Sequence, residues 1–241
     1  MGCFLVTGMH RSGTSAMAQM LSSMGVWFGD EVDMVKADRS NELGYFERLD
    51  VMGVNDGLLA WSGGTWDDPI GKVLEQEAGV YGATIRSVCD GGRRRGMWGF
   101  KDPRFCFTYG AWEKELGEHS VVVMVRHPVE VAESLRDAQG VPIEDGLRLW
   151  CRYNERCLDT FKGAVWVEYG ELVDRPLVVA RRLREKMPWL GEPKWMAVVK
   201  GLRHQRVEEG TATVLRSELN DRVREVWRRV RGRLERQGVP A

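Results

Sequence analysis

The chain has 241 residues, 43% of them hydrophobic and 29% charged, and its 35 basic and 35 acidic residues cancel to a formal net charge of zero. This is the balance of a soluble globular chain long enough for one sizeable core, with no global field drawing it to nucleic acid or an anionic membrane. No apolar run of about 18 residues is present to span a bilayer, and the opening MGCFLVTGMHRSGTS lacks the basic and long apolar regions of a signal peptide. The five cysteines (Cys3, Cys89, Cys106, Cys151, Cys157) form no CxxC pair. That argues against a disulfide framework or zinc site and for small buried side chains in a reducing, cytoplasmic setting.

The chain opens with Cys3–Thr7, a short apolar run suited to a buried strand. A glycine-bounded loop, Gly8 to Gly13, follows. Ala16, Met17, Met20, Leu21 and Met24 then recur at helical spacing, and Gly25 stops the helix. Strand, glycine loop and helix in this order open a phosphate-binding βα unit. From about residue 26 to 96 the pattern weakens, so this stretch is expected to be an irregular, inserted substrate-binding subregion of short helices and loops. It shows no linker composition, and the whole of 1–241 reads as a single domain.

Trp98 to Lys101 reads as a short strand ending in Lys101-Asp102-Pro103-Arg104. Val121–Val125 is apolar at every position, which requires cover on both faces, as in a parallel sheet between helices. It ends in Arg126-His127-Pro128, with Pro128 suited to the first turn of a helix. Ile143, Leu147, Trp150, Asn154, Cys157, Leu158 and Phe161 mark a long helical face. Val165–Val167 reads as a strand, and Pro176 opens a helix to Met187. Leu219, Val223, Val226, Trp227, Val230 and Leu234 form the stripe of an amphipathic closing helix. Alternation of this kind predicts a three-layer, P-loop-like α/β fold with a central, mainly parallel sheet flanked by helices.

Two places carry chemistry. Backbone N–H groups in a glycine loop before a helix N-terminus cradle phosphate oxygens. In the nucleoside-triphosphate version a lysine follows the second glycine; here Thr14 stands there, and the cation, Arg11, lies inside the loop. The second place is the end of Val121–Val125, where a metal-binding Asp would be usual. Arg126 stands there instead, with Ser134 eight residues later. An arginine at that point repels a metal and attracts a phosphate.

Together GMHRSGTSA and VVVMVRHPVEVAESL resemble the two donor-binding motifs of the sulfotransferases that use 3′-phosphoadenosine 5′-phosphosulfate (PAPS). NELGYFE, GGTWDDP, WGFKDPR and LWCRYNERCL look like pieces of the bacterial members with a GMHRSGTS loop, so the likeness covers about residues 4–180 and fades over the C-terminal sixty. The resemblance implies that Arg11, Ser12, Gly13, Thr14 and Ser15 bind the 5′-phosphosulfate, and Arg126 with Ser134 the 3′-phosphate. It implies no metal, since Arg11 and loop N–H groups can stabilise the leaving oxygen. It also implies a small-molecule or carbohydrate acceptor, attacked through a hydroxyl or amine, and no nucleic-acid or membrane partner.

Two catalytic roles remain. Lys101 is expected as a second cation on the transferring group. The better-known cytosolic members carry a histidine two residues after a comparable lysine, where this chain has Pro103. Other branches use a glutamate after the P-loop helix. Glu47 in GYFE leads and Glu31 in FGDE is second; burial beside an aromatic pair would raise a carboxyl's pKa toward that of a base. Two other readings stay open: a P-loop kinase or NTPase, and a non-catalytic phosphate- or nucleic-acid-binding protein. Asp67 and Asp68 read as acceptor-pocket or turn residues, and Arg93-Arg94-Arg95 and the Arg-rich last helix as solvated faces. His10, His119, His127 and His204 show no metal-ligand spacing.

Overall fold

The computed structural model describes residues 2–37, 44–69, 79–194 and 218–239. Asn41, Glu42 and Leu43 of the NELGYFE segment and His204 lie outside the described residues. Four short strands build the centre: β1 (Cys3–Gly8), β2 (Trp98–Lys101), β3 (His119–Val125) and β4 (Val165–Glu168). They pair in the order β2-β1-β3-β4, and every pairing is parallel.

Successive side chains of a strand point to opposite faces, so a run that is apolar throughout is buried on both. Phe4, Val6, Val122, Met124, Val165 and Val167 join one core, beneath α1 (Thr14–Ser23) and α8 (Pro176–Lys186). Leu5, Phe100, Val123, Val125 and Trp166 join the other. That second core is covered by α2 (Leu49–Trp61), α3 (Gly82–Arg93), α4 (Phe105–Leu116), α6 (Ile143–Thr160) and α9 (Glu218–Glu235). Helix α5 (Pro128–Gln139) follows β3, with Pro128 in its first turn, and the short α7 (Tyr169–Asp174) follows β4. The result is the expected three-layer α/β fold. No described helix is long and apolar enough to cross a membrane.

The middle of the chain is more regular than its composition implies, because α2 and α3 are full helices of 13 and 12 residues. Helix α4 had no clear sequence signal at all. All five cysteines are buried and free, and Cys106 Sγ on α4 lies 3.1 Å from Cys157 Sγ on α6. Helix α9 buries Val223, Val226, Val230 and Leu234, while Arg222, Arg228 and Arg231 pair with Glu155, Glu225 and Glu168. Its arginines form a solvated, ion-paired face.

Strand order places β1 between two strands that both come later in the chain: the chain steps from β1 to β2 on one side and then crosses back to β3 on the other. In open α/β sheets the crevice at such a reversal, at the carboxyl ends of the strands, is where ligands bind. The register brings Lys101 opposite Val6, and Gly8 opposite Met124. The ends of β1, β2 and β3 therefore meet at one edge. Gly8 makes this possible: its φ is 133°, and a Cβ there would lie 2.1 Å from the Met124 carbonyl oxygen. Gly8→Ala combines backbone strain with a clash against main chain, and is expected to destabilise by at least about 3 kcal/mol. Chemical denaturation measures it; a loss under about 1 kcal/mol would show that the strands can separate without cost.

Candidate active site

The loop after β1 turns tightly, with Ser12 N–H donating to the Met9 carbonyl at 3.1 Å. Arg11 (φ 66°) and Gly13 (φ 87°) are both left-handed, a backbone pattern that gathers successive N–H groups into an anion-binding concavity. The loop leads directly into the N-terminus of α1 at Thr14, where the helix dipole favours negative charge. Ser12 is fully buried, and its hydroxyl has no hydrogen-bond partner among the described residues. Thr14 is buried as well, while Ser15 Oγ donates to the Tyr45 carbonyl at 3.1 Å.

The two expected anion sites touch. Arg11 Nε donates to Ser134 Oγ at 2.9 Å, and Arg126 Nη1 donates to the Arg11 carbonyl at 3.2 Å. Arg126 is itself fixed on several sides. Its Nε donates to Glu130 at 2.8 Å, its guanidinium lies 4.7 Å over the Tyr169 ring, and its carbonyl accepts from Trp150 Nε1 at 3.1 Å. The Tyr169 ring also abuts Gly13, so α7, the P-loop and the end of β3 are packed as one unit.

At the end of β2, Lys101 Nζ lies 2.5 Å from Glu47 Oε1, and both residues are buried, 3% and 7% exposed. The aromatic neighbours expected around Glu47 are thus joined by a cation that holds its carboxylate directly. Glu31, the second carboxylate, is exposed on the one-turn 3-10 helix Glu31–Asp33. Asp102 then organises the turn after β2. Its carboxylate accepts from the Arg104 backbone N–H at 2.8 Å, from Arg104 Nη1 at 3.0 Å and from Asn55 Nδ2 at 3.1 Å. Asn55 Oδ1 in turn accepts from Thr108 at 2.8 Å and Trp112 at 2.9 Å, while Arg104 pairs with Asp56 at 2.5 Å. Sequence reading picked out Asp102 and Arg104 only as part of the WGFKDPR stretch and missed their partners, because Asn55, Asp56, Thr108 and Trp112 lie apart from it in the chain.

His10 was also overlooked, having been weighed only as a metal ligand. Its ring packs 4.8 Å from Trp66 and 5.7 Å, edge-on, from Tyr153, whose hydroxyl donates to the Trp66 carbonyl at 2.7 Å. Burial, then the charges of Arg104, Lys101 and Arg11, push its pKa well below the usual histidine value and keep the ring uncharged. Asp67 and Asp68 behave as turn residues. Thr65 Oγ1 donates to Asp67 at 2.6 Å, and Asp68 pairs with Arg152 on α6 at 2.6 Å. Arg93 and Arg95 pair with Asp90 and Asp30 on the surface.

No family profile matches the sequence, and no curated protein matches it closely enough to count. Among solved structures, the sulfotransferase domain of the Synechococcus PCC 7002 olefin synthase superposes with a TM-score of 0.50 at 18% identity. That match covers 100% of this chain and 95% of that domain, so the two share a fold. The sulfotransferase domain from the curacin biosynthetic pathway gives a TM-score of 0.48 at 11% identity, covering 99% of this chain and 97% of that one. A sulfotransferase from Mycobacterium tuberculosis gives 0.47 at 15%, covering 96% and 76%.

The Lys101–Glu47 pair makes a clear energetic test, because removing one partner strands a buried charge. Lys101→Met is expected to cost about 3–5 kcal/mol in denaturant unfolding, and adding Glu47→Gln should recover much of it. Additive losses in the double variant would show that the two groups are not coupled.

Proposed function

We propose that this protein is a PAPS-dependent sulfotransferase, moving a sulfuryl group from PAPS to a hydroxyl or amine of a small-molecule or carbohydrate acceptor. The observation that carries the reading is the joining of two anion sites through Arg11: its side chain reaches Ser134 and its carbonyl receives Arg126. A donor with a phosphosulfate at one end and a phosphate monoester at the other needs two such sites side by side. A triphosphate site needs a lysine after the second glycine, and here Thr14 follows Gly13.

In this reading Arg11, Ser12, Gly13, Thr14 and Ser15 hold the 5′-phosphosulfate. The unpartnered Ser12 hydroxyl and the left-handed loop supply donors there. Arg126 and Ser134 hold the 3′-phosphate. The acceptor atom attacks sulfur; the bond from sulfur to the bridging oxygen breaks, and its electron pair stays with the departing 5′-phosphate. Charge builds on that oxygen and on the sulfuryl oxygens, and the reading assigns Arg11 and Lys101 to stabilise it. Glu47, which holds Lys101 Nζ at 2.5 Å, fixes that cation at the end of β2. In this reading the Glu47 carboxylate and the His10 imidazole are the candidate acceptors for the proton that leaves the nucleophile.

Adenosine 3′,5′-bisphosphate, the desulfated product, is expected to stabilise the protein by about 2.7 kcal/mol at 100 times its Kd. A thermal-shift series with and without EDTA measures this, and stronger stabilisation by ATP–Mg²⁺ would overturn the reading in favour of a P-loop NTPase. Arg126→Ala is expected to weaken bisphosphate binding by about 1.5–3 kcal/mol, the scale of a charged hydrogen bond. It should leave adenosine 5′-phosphosulfate, which lacks the 3′-phosphate, almost unaffected. Titration of both ligands decides it, since equal losses would show that Arg126 does not read that phosphate.

A further inference from the structure

We infer that His10 Nε2 is the base that takes the proton from the acceptor, with Glu47 acting as the positioning residue for Lys101; the inference rests on the sulfotransferase reading above. The starting point is a buried ring nitrogen. His10 Nε2 is buried and has no hydrogen-bond partner among the described residues. Buried polar atoms of folded proteins are nearly always paired, and this one stands in the loop that the sulfotransferase reading assigns to the donor. The ring around it is not loose. Trp66 covers it at 4.8 Å, Tyr153 meets it edge-on at 5.7 Å, and the Tyr153 hydroxyl ties the Trp66 main chain to α6.

Chemistry then selects which arriving group it is. PAPS presents oxygens that accept hydrogen bonds, and the groups suited to them are donors: loop N–H groups, Arg11 and Lys101. The acceptor presents an O–H or N–H, which needs a lone pair. The nearby carboxylates are already engaged: Glu47 holds Lys101 Nζ at 2.5 Å, and Asp102 accepts from Arg104 Nη1 at 3.0 Å and Asn55 Nδ2 at 3.1 Å. His10 is uncharged, because burial and the nearby Arg104, Lys101 and Arg11 disfavour the imidazolium. A neutral imidazole keeps the lone pair that a base requires. The donor's negative charge, bound at Arg11 and Lys101, offsets those same cations and so favours the ring's protonation once the donor is in place.

The step balances. The acceptor oxygen forms its bond to sulfur, the bond to the bridging oxygen breaks with its electron pair leaving on adenosine 3′,5′-bisphosphate, and the acceptor's proton moves to Nε2. The imidazolium then returns that proton to solvent. Because His10 sits in the same loop as Arg11, one turn of chain brings base and leaving-group cation together.

The test compares wild type, His10→Ala, His10→Gln and Glu47→Gln. Two properties are followed: stabilisation by adenosine 3′,5′-bisphosphate, and PAPS consumption with water alone and with a panel of phenols, alkanols and amines. His10→Ala is expected to keep bisphosphate affinity within about threefold and lose on the order of 10²–10⁴ in sulfuryl transfer, the usual range for a general base. Added imidazole should restore part of that activity in His10→Ala and none in Glu47→Gln, which a merely structural role for the ring would not produce. If His10→Ala does not fold, His10→Gln carries the comparison of affinity and transfer. Near-normal turnover in the His10 variants, a parallel loss of bisphosphate affinity, or a larger loss of transfer in Glu47→Gln would overturn the assignment. Wild-type protein that neither binds the bisphosphate nor consumes PAPS would instead sink the sulfotransferase reading.

Discussion

Three buried cations stand close together at the carboxyl edge of the sheet, and much of the local structure exists to neutralise them. Lys101, Arg104 and Arg126 are each less than a tenth exposed. Removing an ion from water costs several kcal/mol even after the protein relaxes, so each must meet a carboxylate with good geometry. Each does so differently. Glu47 reaches Lys101 from the segment before α2, Asp102 and Asp56 flank Arg104, and Glu130 grips Arg126 from one turn into α5.

Such pairs are weak devices for stability, since well-packed apolar residues of the same volume often serve a core as well or better. Their concentration at one edge makes sense as preorganisation. Donors already fixed toward a site lose little freedom when charge develops there, which is how electrostatic catalysis acquires its magnitude. His10 responds to the same surroundings: burial first, then the charges of Arg104, Lys101 and Arg11, keep its imidazole neutral.

The sheet was legible because its strands are buried on both faces, and a run such as Val121–Val125 has few other readings. The tight loop after β1 was legible for the same local reason: Gly8, Arg11 and Gly13 lie within six positions. The middle of the chain was not. Its glycines read as loop punctuation, yet Gly57 lies where a Cβ would strike the Tyr81 hydroxyl at 2.0 Å, and Gly92 where one would strike the Trp98 ring at 2.2 Å. Both are sites of close packing inside helices, which propensity alone cannot distinguish from turns. Helix α4 escaped notice because it buries most of its surface and leaves only a faint polar stripe. The contacts that define the site span 54 residues from Glu47 to Lys101 and 123 from Arg11 to Ser134. No local pattern encodes them. The residue types were readable one by one, and their assembly was not.

The segment containing Asp67 and Asp68 shows how far that distinction matters. Two acids next to a proline suggest either a lined pocket or a turn, and the hydrogen bonds decide for the turn, since Thr65 serves both Asp67 and the Asp68 backbone. The turn is then pinned to α6 at two points, by Arg152 on Asp68 and by Tyr153 on the Trp66 carbonyl. Its effect falls on Trp66 itself. Trp66 is carried against the His10 ring, so the geometry of the P-loop histidine depends on a helix far along the chain. The acids matter because they fix the loop that seats the indole. The position of the indole, in turn, determines which side of His10 is closed.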